Sequence, residues 1–495
     1  MDASIHSTIS DLFCGTARRY GNRIALIEGD KQLSYRDLAD HSAQVAHQFA
    51  AHGIKAGDHV GVALRHSISS FTSMLAIWML NAVAVPIDFR IRPSEREKLA
   101  EEFDLAVIVQ DGPAVNVDYR VIAWNRDFET EVAQQPITPP DGYCGYAHPA
   151  TISLTSGTTG RPIGFVQSHK ALVLRMMGYS QECAYPVNGR AFMTFPLSFS
   201  ASRNHTLGQL LRGNTIYFHP PTFGAKEIAK RLIELKITFA FVVPAMIQDL
   251  LELAGDRETP MFPDLQLLYT GGAGMLPEQK IAAQKRLSSG FLHCFSSSLS
   301  GTVSTLVGED VLTHPDTEGR VLGSVRVQIV DADGNELPDN QVGMVRCRSQ
   351  TSAETVYKEA SRATGDRIVD GWGYTGDLGR IDSDGFLTLV GRSADVILRS
   401  GINIYPAEIE VAISSIDGVA SCAAVGFPDP ALGEDIAVFI VADRALTEDF
   451  VLARAQVALP AGKRPSRVVF LDELPRNANG KVLTKDLRET LTAAT

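Results

Sequence analysis

The chain has 495 residues and a formal net charge of −11, from 46 Lys+Arg against 57 Asp+Glu. Hydrophobic residues make up 45% and charged residues 21%, which excludes a disordered chain and allows a large buried core over about three structural units. The acidic balance argues against a general nucleic-acid or membrane-surface binder, because phosphate-rich partners need clustered positive charge. Six cysteines, Cys14, Cys144, Cys183, Cys294, Cys347 and Cys422, lie far apart without a CxxC pair, so neither a disulfide scaffold nor a zinc ribbon is expected. The N-terminal residues lack the basic and apolar regions of a secretory signal. The most apolar stretch, Met74 to Ile87, is broken by Asn81 and Pro86 and is shorter than the ~20 residues a membrane span needs. A reduced, cytoplasmic protein is the expectation.

Taken in chain order, strands and helices alternate. Ser34 with Asp37 three residues on forms a capping-box variant opening a helix, and Gly53 supplies its stop. Val60 to Leu64 reads as a short strand. Phe239 to Val243 is a buried-strand run, Pro244 opens a helix through Leu253, and Leu265 to Tyr269 is the next strand. A helix over Pro277 to Leu287 leads to a strand at Phe291 to Phe295. This alternation means βαβ units and a largely parallel sheet, with ligands outside the strands' carboxyl ends. From about Val325 the texture turns antiparallel, with strands at Val327 to Asp331, Gly343 to Cys347 and Phe386 to Val390. Beyond Arg392 lies a compact α+β pattern. It has a helix near Ala407 to Ser415, strands at Ala423 to Val425 and Ile436 to Val441, a helix near Thr447 to Ala458 and a strand at Arg467 to Leu471. The fold class is therefore α/β: a large N-terminal domain of βαβ layers with a β-rich subdomain, residues 1–391, and a small α+β C-terminal domain, residues 392–495.

Four short motifs carry candidate chemistry. Thr155-Ser156-Gly157-Thr158-Thr159-Gly160 follows the apolar Ile152-Ser153-Leu154, and its backbone N–H groups and hydroxyls suit phosphate oxygens. It is not a Walker loop, since no Lys-Ser/Thr pair follows Gly160, and alone it reads equally as a flexible loop. Gly271-Gly272-Ala273-Gly274 follows a strand and offers bare backbone to a flat ring or acyl group, or makes a tight turn. Tyr374-Thr375-Gly376-Asp377 places a carboxylate beside a glycine turn, fit for a ribose diol or simply a turn residue. Near the C-terminus, Asn479-Gly480-Lys481 sets one ammonium after a turn, able to reach into a cleft or be solvated.

The order of these motifs, continued by Gly391-Arg392 and by Gly401-Ile402-Asn403-Ile404-Tyr405-Pro406-Ala407-Glu408-Ile409-Glu410, resembles the adenylate-forming superfamily over nearly the whole chain. That superfamily includes acyl-CoA and aryl-CoA synthetases, peptide-synthetase adenylation domains and firefly luciferase. The resemblance implies an AMP-forming acid–thiol ligase, closest to acyl- or aryl-CoA ligases, using ATP, Mg²⁺ and CoA. By position it implies that Thr155 to Gly160 wrap the phosphates. Gly271, Gly272 and Ala273 flank adenine, with Phe295, Ser296 and Ser298 beside the adenylate. Asp377 holds the ribose with Arg392 nearby, Lys481 is the catalytic cation, and Ser400, Gly401 and Asn403 approach the thiol. It also implies a C-terminal domain that rotates between two half-reactions about the Gly391-Arg392 boundary.

The sequence departs from the family pattern at three points. Ile163 stands where the phosphate loop usually carries Lys, with Arg161 nearby. Leu299 stands where Glu usually helps hold Mg²⁺, which leaves the metal site unknown unless Glu309 or Asp310 substitutes. Ala394 stands at the hinge position usually filled by Asp or Lys. A catalytically weakened adenylate or CoA-ester binding paralogue is therefore an alternative. For the acid, Phe199 and Ser200 fall where peptide-synthetase domains carry Phe-Asp, so an α-amino acid is disfavoured. Arg203, Asn204 and His205 either bind a polar or anionic end of the substrate or line the surface. Only Val482 to Thr495 follow Lys481, so no carrier domain is expected on this chain. CoA is the expected acceptor, with a separate carrier protein as the alternative.

Overall fold

A computed structural model describes residues 7–113, 117–140, 145–156, 162–219, 223–297, 299–358, 368–476 and 482–493. Two large mixed sheets form its body. One has nine strands in the order Arg320–Val321, Gly301–Val307, Phe291–Ser297, Leu267–Gly271, Phe239–Val242, Arg190–Met193, Thr215–Phe218, Ile24–Glu28, Lys31–Ser34. The pairs from Phe291–Ser297 across to Ile24–Glu28 are parallel, while Gly301–Val307 pairs antiparallel with both its neighbours and Lys31–Ser34 pairs antiparallel at the other edge. The other has seven strands in the order Thr355–Val356, Pro162–Ser168, Pro149–Ser156, Val83–Pro86, His59–Ala63, Leu105–Asp111, Val121–Trp124. Strands covered on both faces need no alternation. Accordingly Phe239–Val242 and Val83–Pro86 are buried at every position.

Local signals set the helix starts. Ser34 caps the helix Tyr35–Ala51, its Oγ accepting from Asp37 N at 3.1 Å while Asp37 Oδ2 accepts from Ser34 N at 3.1 Å. Pro244 opens Pro244–Ala254 at a position where its missing N–H has no partner to lose. Met74 to Ile87 divides into the end of the helix Ser67–Met79, a turn with Asn81 at φ 56°, and the strand Val83–Pro86.

Three expectations shift. The strand read at Leu265 to Tyr269 runs instead over Leu267–Gly271, because Leu265 N donates to Phe262 O and belongs to the preceding turn. The helix from Pro277 widens after Ala282 into a π turn over Ala283–Leu287, closed by Ser288 N donating to Ala283 O at 3.1 Å. The Thr375-Gly376-Asp377 segment lies within a long strand, Trp372–Ile381, with Gly376 at φ 75° providing a local kink.

That strand belongs to a five-stranded antiparallel sheet with Arg326–Val330, Gly343–Arg348, Ile368–Val369 and Leu387–Arg392. A fourth sheet holds Ile402–Ile404, Ile397–Arg399, Gly433–Ala442 and Val419–Asp429, with Arg467–Phe470 added in parallel. Its core is aliphatic, built on Ile397, Ile409, Ile436, Val438 and Ile440. Among the described residues no helix is long and apolar enough to cross a membrane.

Candidate active site

The strand carrying Thr155 and Ser156 extends beyond the apolar Ile152-Ser153-Leu154 and pairs with Pro162–Ser168, Thr155 opposite Ile163 and Ser156 opposite Pro162. Gly157, Thr158, Thr159, Gly160 and Arg161 lie outside the described residues. Ile163 and Leu299 are 2% and 3% exposed and belong to one apolar cluster with Phe165, Ala353 and Val356. Two of the three departures from the family pattern are thus packed into the same small core beneath the hairpin. Leu299 is held by its backbone as well, its carbonyl accepting from Ala353 N at 2.6 Å.

Gly271 ends its strand opposite Cys294, so close that a Cβ there would meet Cys294 Sγ at 2.5 Å. Gly272 has φ 91°, and the direction a Cβ would take is open space. Below the loop, His293 Nε2 lies 3.3 Å from Ala273 O, and His293 Nδ1 lies 3.2 Å from Glu318 Oε2. The buried Lys280 donates from Nζ to Thr317 O at 2.8 Å and stands 3.7 Å from Glu318. Burial lowers the pKa of His293, against the pull of Glu318. Phe295 turns into the core of the β-rich region beside Val303, Leu322 and Val325. Ser296 is half-buried opposite Thr302, and Ser298 lies outside the described residues.

Asp377 is 9% exposed and sits directly opposite Arg392, whose Nε lies 3.2 Å from its carboxylate. Ser393 Oγ donates to Gly376 O at 3.2 Å across the same junction. Two residues further, Asp395 accepts from Thr484 Oγ1 at 3.0 Å and pairs with Arg488 at 3.5 Å, tying the junction to the helix Thr484–Ala493. Lys481 lies outside the described residues. The residues bordering its segment are joined: Arg476 and Val482 form an antiparallel bridge and Leu483 N donates to Pro475 O at 2.8 Å. Ser400 and Gly401, at φ 51° and 78°, make the tight turn between Ile397–Arg399 and Ile402–Ile404. That turn and Asn403 are exposed.

Phe199 is the N-cap of the helix Ser200–Leu211 and meets Phe195 edge-on at 6.3 Å. Ser200 Oγ accepts from Asn204 Nδ2 at 3.3 Å. Arg203, Asn204 and His205 are not a surface stretch: they are 1%, 3% and 2% exposed. His205 is enclosed by Tyr185, Phe241 and Tyr269, and burial pushes its pKa down to about 3, so it is neutral. Arg203 Nη2 donates to Ser153 Oγ at 2.6 Å, which connects this helix to the strand Pro149–Ser156. Sequence reasoning missed Ser153, Gln167 and Arg175, which continue that connection. The available signal was a cation on the apolar face of the helix His169–Glu182, three residues after Leu172.

Glu309 and Asp310 do not replace a carboxylate at position 299. They follow the strand Gly301–Val307 at the end opposite Ser297, and Asp310 pairs with Arg320 at 3.1 Å. Among the described residues no three His, Cys, Asp or Glu side chains gather as a metal-binding group. The environment of Leu299 is apolar and does not fit a protein-held Mg²⁺.

The AMP-binding enzyme model matches residues 13–375, and the model of the AMP-binding enzyme C-terminal domain matches residues 408–481. The chain belongs to the AMP-binding enzyme family. Among curated members, it is 28% identical over 484 residues to a long-chain-fatty-acid–CoA ligase of Mycobacterium tuberculosis, covering 94% of each chain. It is 26% identical to a 2-succinylbenzoate–CoA ligase of Bacillus licheniformis, covering 94% of this chain and 96% of that one. Among solved AMP-binding enzyme folds, ATP-bound MatB from Rhodopseudomonas palustris superposes with a TM-score of 0.90 at 23% identity, covering 99% of this chain and 100% of that one.

Proposed function

We propose that this AMP-binding enzyme activates a carboxylic acid with ATP to an acyl-adenylate and pyrophosphate, then passes the acyl group to a thiol, that of CoA. The observation that carries this reading is the Asp377–Arg392 pair. A buried carboxylate set against a guanidinium at 3.2 Å, in the stretch between the two matched family models, supports recognition of a ribose diol by charge-assisted hydrogen bonds. In this reading residues 155–160 receive the phosphates, and Gly272 leaves bare backbone beside the adenine. Phe295, Ser296 and Ser298 border the adenylate, and Phe199, Ser200 and Arg203 face the acid. Residues 392–495 form the mobile unit that brings Lys481 to the reacting carboxylate and α-phosphate, and later brings Ser400, Gly401 and Asn403 toward the thiol.

A carboxylate is a weak nucleophile attacking an anionic phosphate, so the chain's work is alignment and neutralisation of developing charge. Mg²⁺ would enter with ATP as one substrate, since the apolar surroundings of Leu299 offer it no carboxylate. A second reading, a binder of adenylates or CoA esters with weakened catalysis, is favoured by the burial of Ile163 and Leu299 in one apolar cluster. Acid-dependent ATP–pyrophosphate exchange over a panel of carboxylic acids separates the two. Exchange with at least one acid is expected; no exchange with any, while a preformed acyl-adenylate binds tightly, establishes the second reading instead. Offering free CoA or a carrier protein alongside acid and ATP then identifies the acceptor.

A further inference from the structure

Two guanidinium groups are enclosed in the N-terminal region with no carboxylate among the described residues to balance them. Arg175 and Arg203 are 2% and 1% exposed, and among the described residues no Asp or Glu oxygen lies within 4.0 Å of either. Arg203 Nη1 donates to Leu197 O at 2.9 Å and Ser198 O at 3.4 Å, and Nη2 to Ser153 Oγ at 2.6 Å. With its amide oxygen turned toward Arg175, Gln167 accepts from both terminal nitrogens at 2.8 and 3.0 Å, and its nitrogen donates to Ser153 Oγ at 2.9 Å. Arg175 Nη2 also donates to Thr351 O at 2.6 Å.

The line Arg203–Ser153–Gln167–Arg175 therefore joins two cations through neutral groups, and it holds more donors than acceptors. Among the described residues, Arg203 Nε and Arg175 Nε have no hydrogen-bond partner, and neither does the buried Ser198 Oγ next to the helix that carries Arg203. That helix, Ser200–Leu211, adds positive character of its own. Its N-cap Phe199 offers no side-chain acceptor, and its first turn holds no acidic residue. Burial and the nearby Arg175 push the Arg203 pKa down to about 9, the direction expected for a cation without an anion. The Leu197-Ser198 turn supplying the carbonyls also borders a small cavity of about 10 Å³ with Arg65, Ser67 and Ser70, so it is not packed solid on that side.

We infer that the two buried arginines are the counter-charge for a second oxyanion on the acid substrate, remote from the carboxyl that reacts, so that the substrate is a dicarboxylic acid or an acid with an equivalent anionic tail. This rests on the ligase reading above. The alternatives for a resident counter-charge do not stay in place. Pyrophosphate leaves after the first half-reaction, and the reacting carboxylate loses its charge when it becomes an ester of AMP. A remote anion keeps its charge as acid, adenylate and thioester, and so matches cations that the fold buries permanently. Arg203 makes the contact; Arg175 acts through Gln167 and Ser153 and is a positioning residue.

The test compares a dicarboxylic acid, its half-amide and the monocarboxylic acid of equal length in ATP–pyrophosphate exchange. The wild-type protein is expected to favour the dicarboxylic acid by at least about 100-fold in kcat/KM, because the other two leave a buried cation unanswered. Arg203→Met should reduce that preference to within about 3-fold, leave the KM for ATP unchanged and leave the ligand-free melting temperature equal or higher. Arg203→Lys should keep part of the preference. Equal turnover of all three acids by the wild type overturns the inference without any variant, as does an equal loss for all three in Arg203→Met. If no acid supports exchange, the ligase reading fails while this one is still decided. A rise in wild-type melting temperature with the dicarboxylic acid and not with its half-amide upholds it, and no difference between the two overturns it.

Discussion

Glu410 shows how far one environment changes one side chain. It projects from the helix Pro406–Ser414, and its Oε1 accepts from Ala424 N at 2.9 Å. Burial pushes its pKa up to about 7; the Ala424 N–H opposes this and Asp395 adds to it. A carboxyl whose folded pKa exceeds its unfolded value binds more protons when folded, so stability falls as pH rises. The loss begins near the ordinary glutamate value and levels off above pH 7. Glu410→Gln keeps the acceptor without the charge. It should match the wild type in thermal melting near pH 4.5 and exceed it by about 2–3 kcal/mol at pH 8. A constant difference across that range would place the effect in packing. The same reasoning applies to Ile163 and Leu299: as lone substitutions they are lost charges, but in the fold they are neighbours in one apolar cluster.

At the scale of elements, that cluster fastens the hairpin of Pro149–Ser156 and Pro162–Ser168 to the long strand Trp372–Ile381. A Cβ on Gly373 would come within 2.0 Å of Leu299 Cδ2, so the strand passes the leucine with no room to spare. Gly373→Ala should destabilise by about 1–3 kcal/mol in denaturant melts. Adding Leu299→Ala should cost less than the two single changes summed, because the second removes the clash made by the first. Strict additivity would mean that the contact carries no energy. The capping box at Ser34 and the apolar strand at Phe239 were legible in the sequence because their signals lie within a few residues. The strand Leu267–Gly271 began two residues later than its apolar run suggested, since a turn hydrogen bond to Phe262 takes up Leu265. Asp377 read as either a ribose acceptor or a turn residue, in both cases beside a glycine turn, because Thr-Gly-Asp is turn chemistry and the pairing with Arg392 that makes it a strand is visible only after folding. The Arg203–Ser153–Gln167–Arg175 line was illegible for the same reason: it joins two helices and two strands, and only Arg203 stood out locally.

For the whole molecule, the proposed alternation has one cation, Lys481, present in the first half-reaction and withdrawn in the second. Lys481→Ala should therefore lower acid-dependent pyrophosphate exchange by at least about 100-fold while thioester formation from a supplied acyl-adenylate stays largely intact. Equal loss of both would assign Lys481 to stability or to both steps. The −11 net charge sharpens the electrostatic problem, since the chain must hold polyanionic ligands against its own field. Buried arginines answer it locally without making the surface basic. The clasp at Asp395 has a mechanical consequence. One carboxylate grips both the entry of the C-terminal unit and the helix Thr484–Ala493. Unravelling of that helix must therefore break an ion pair beside the pivot before it can spread. Residues Arg476 and Val482, bridged to each other, and Thr484, anchored to Asp395, turn what would be a trailing tail into a braced strut. In the proposed alternation, rotation at this junction would be delivered to that strut as leverage instead of being lost as slack.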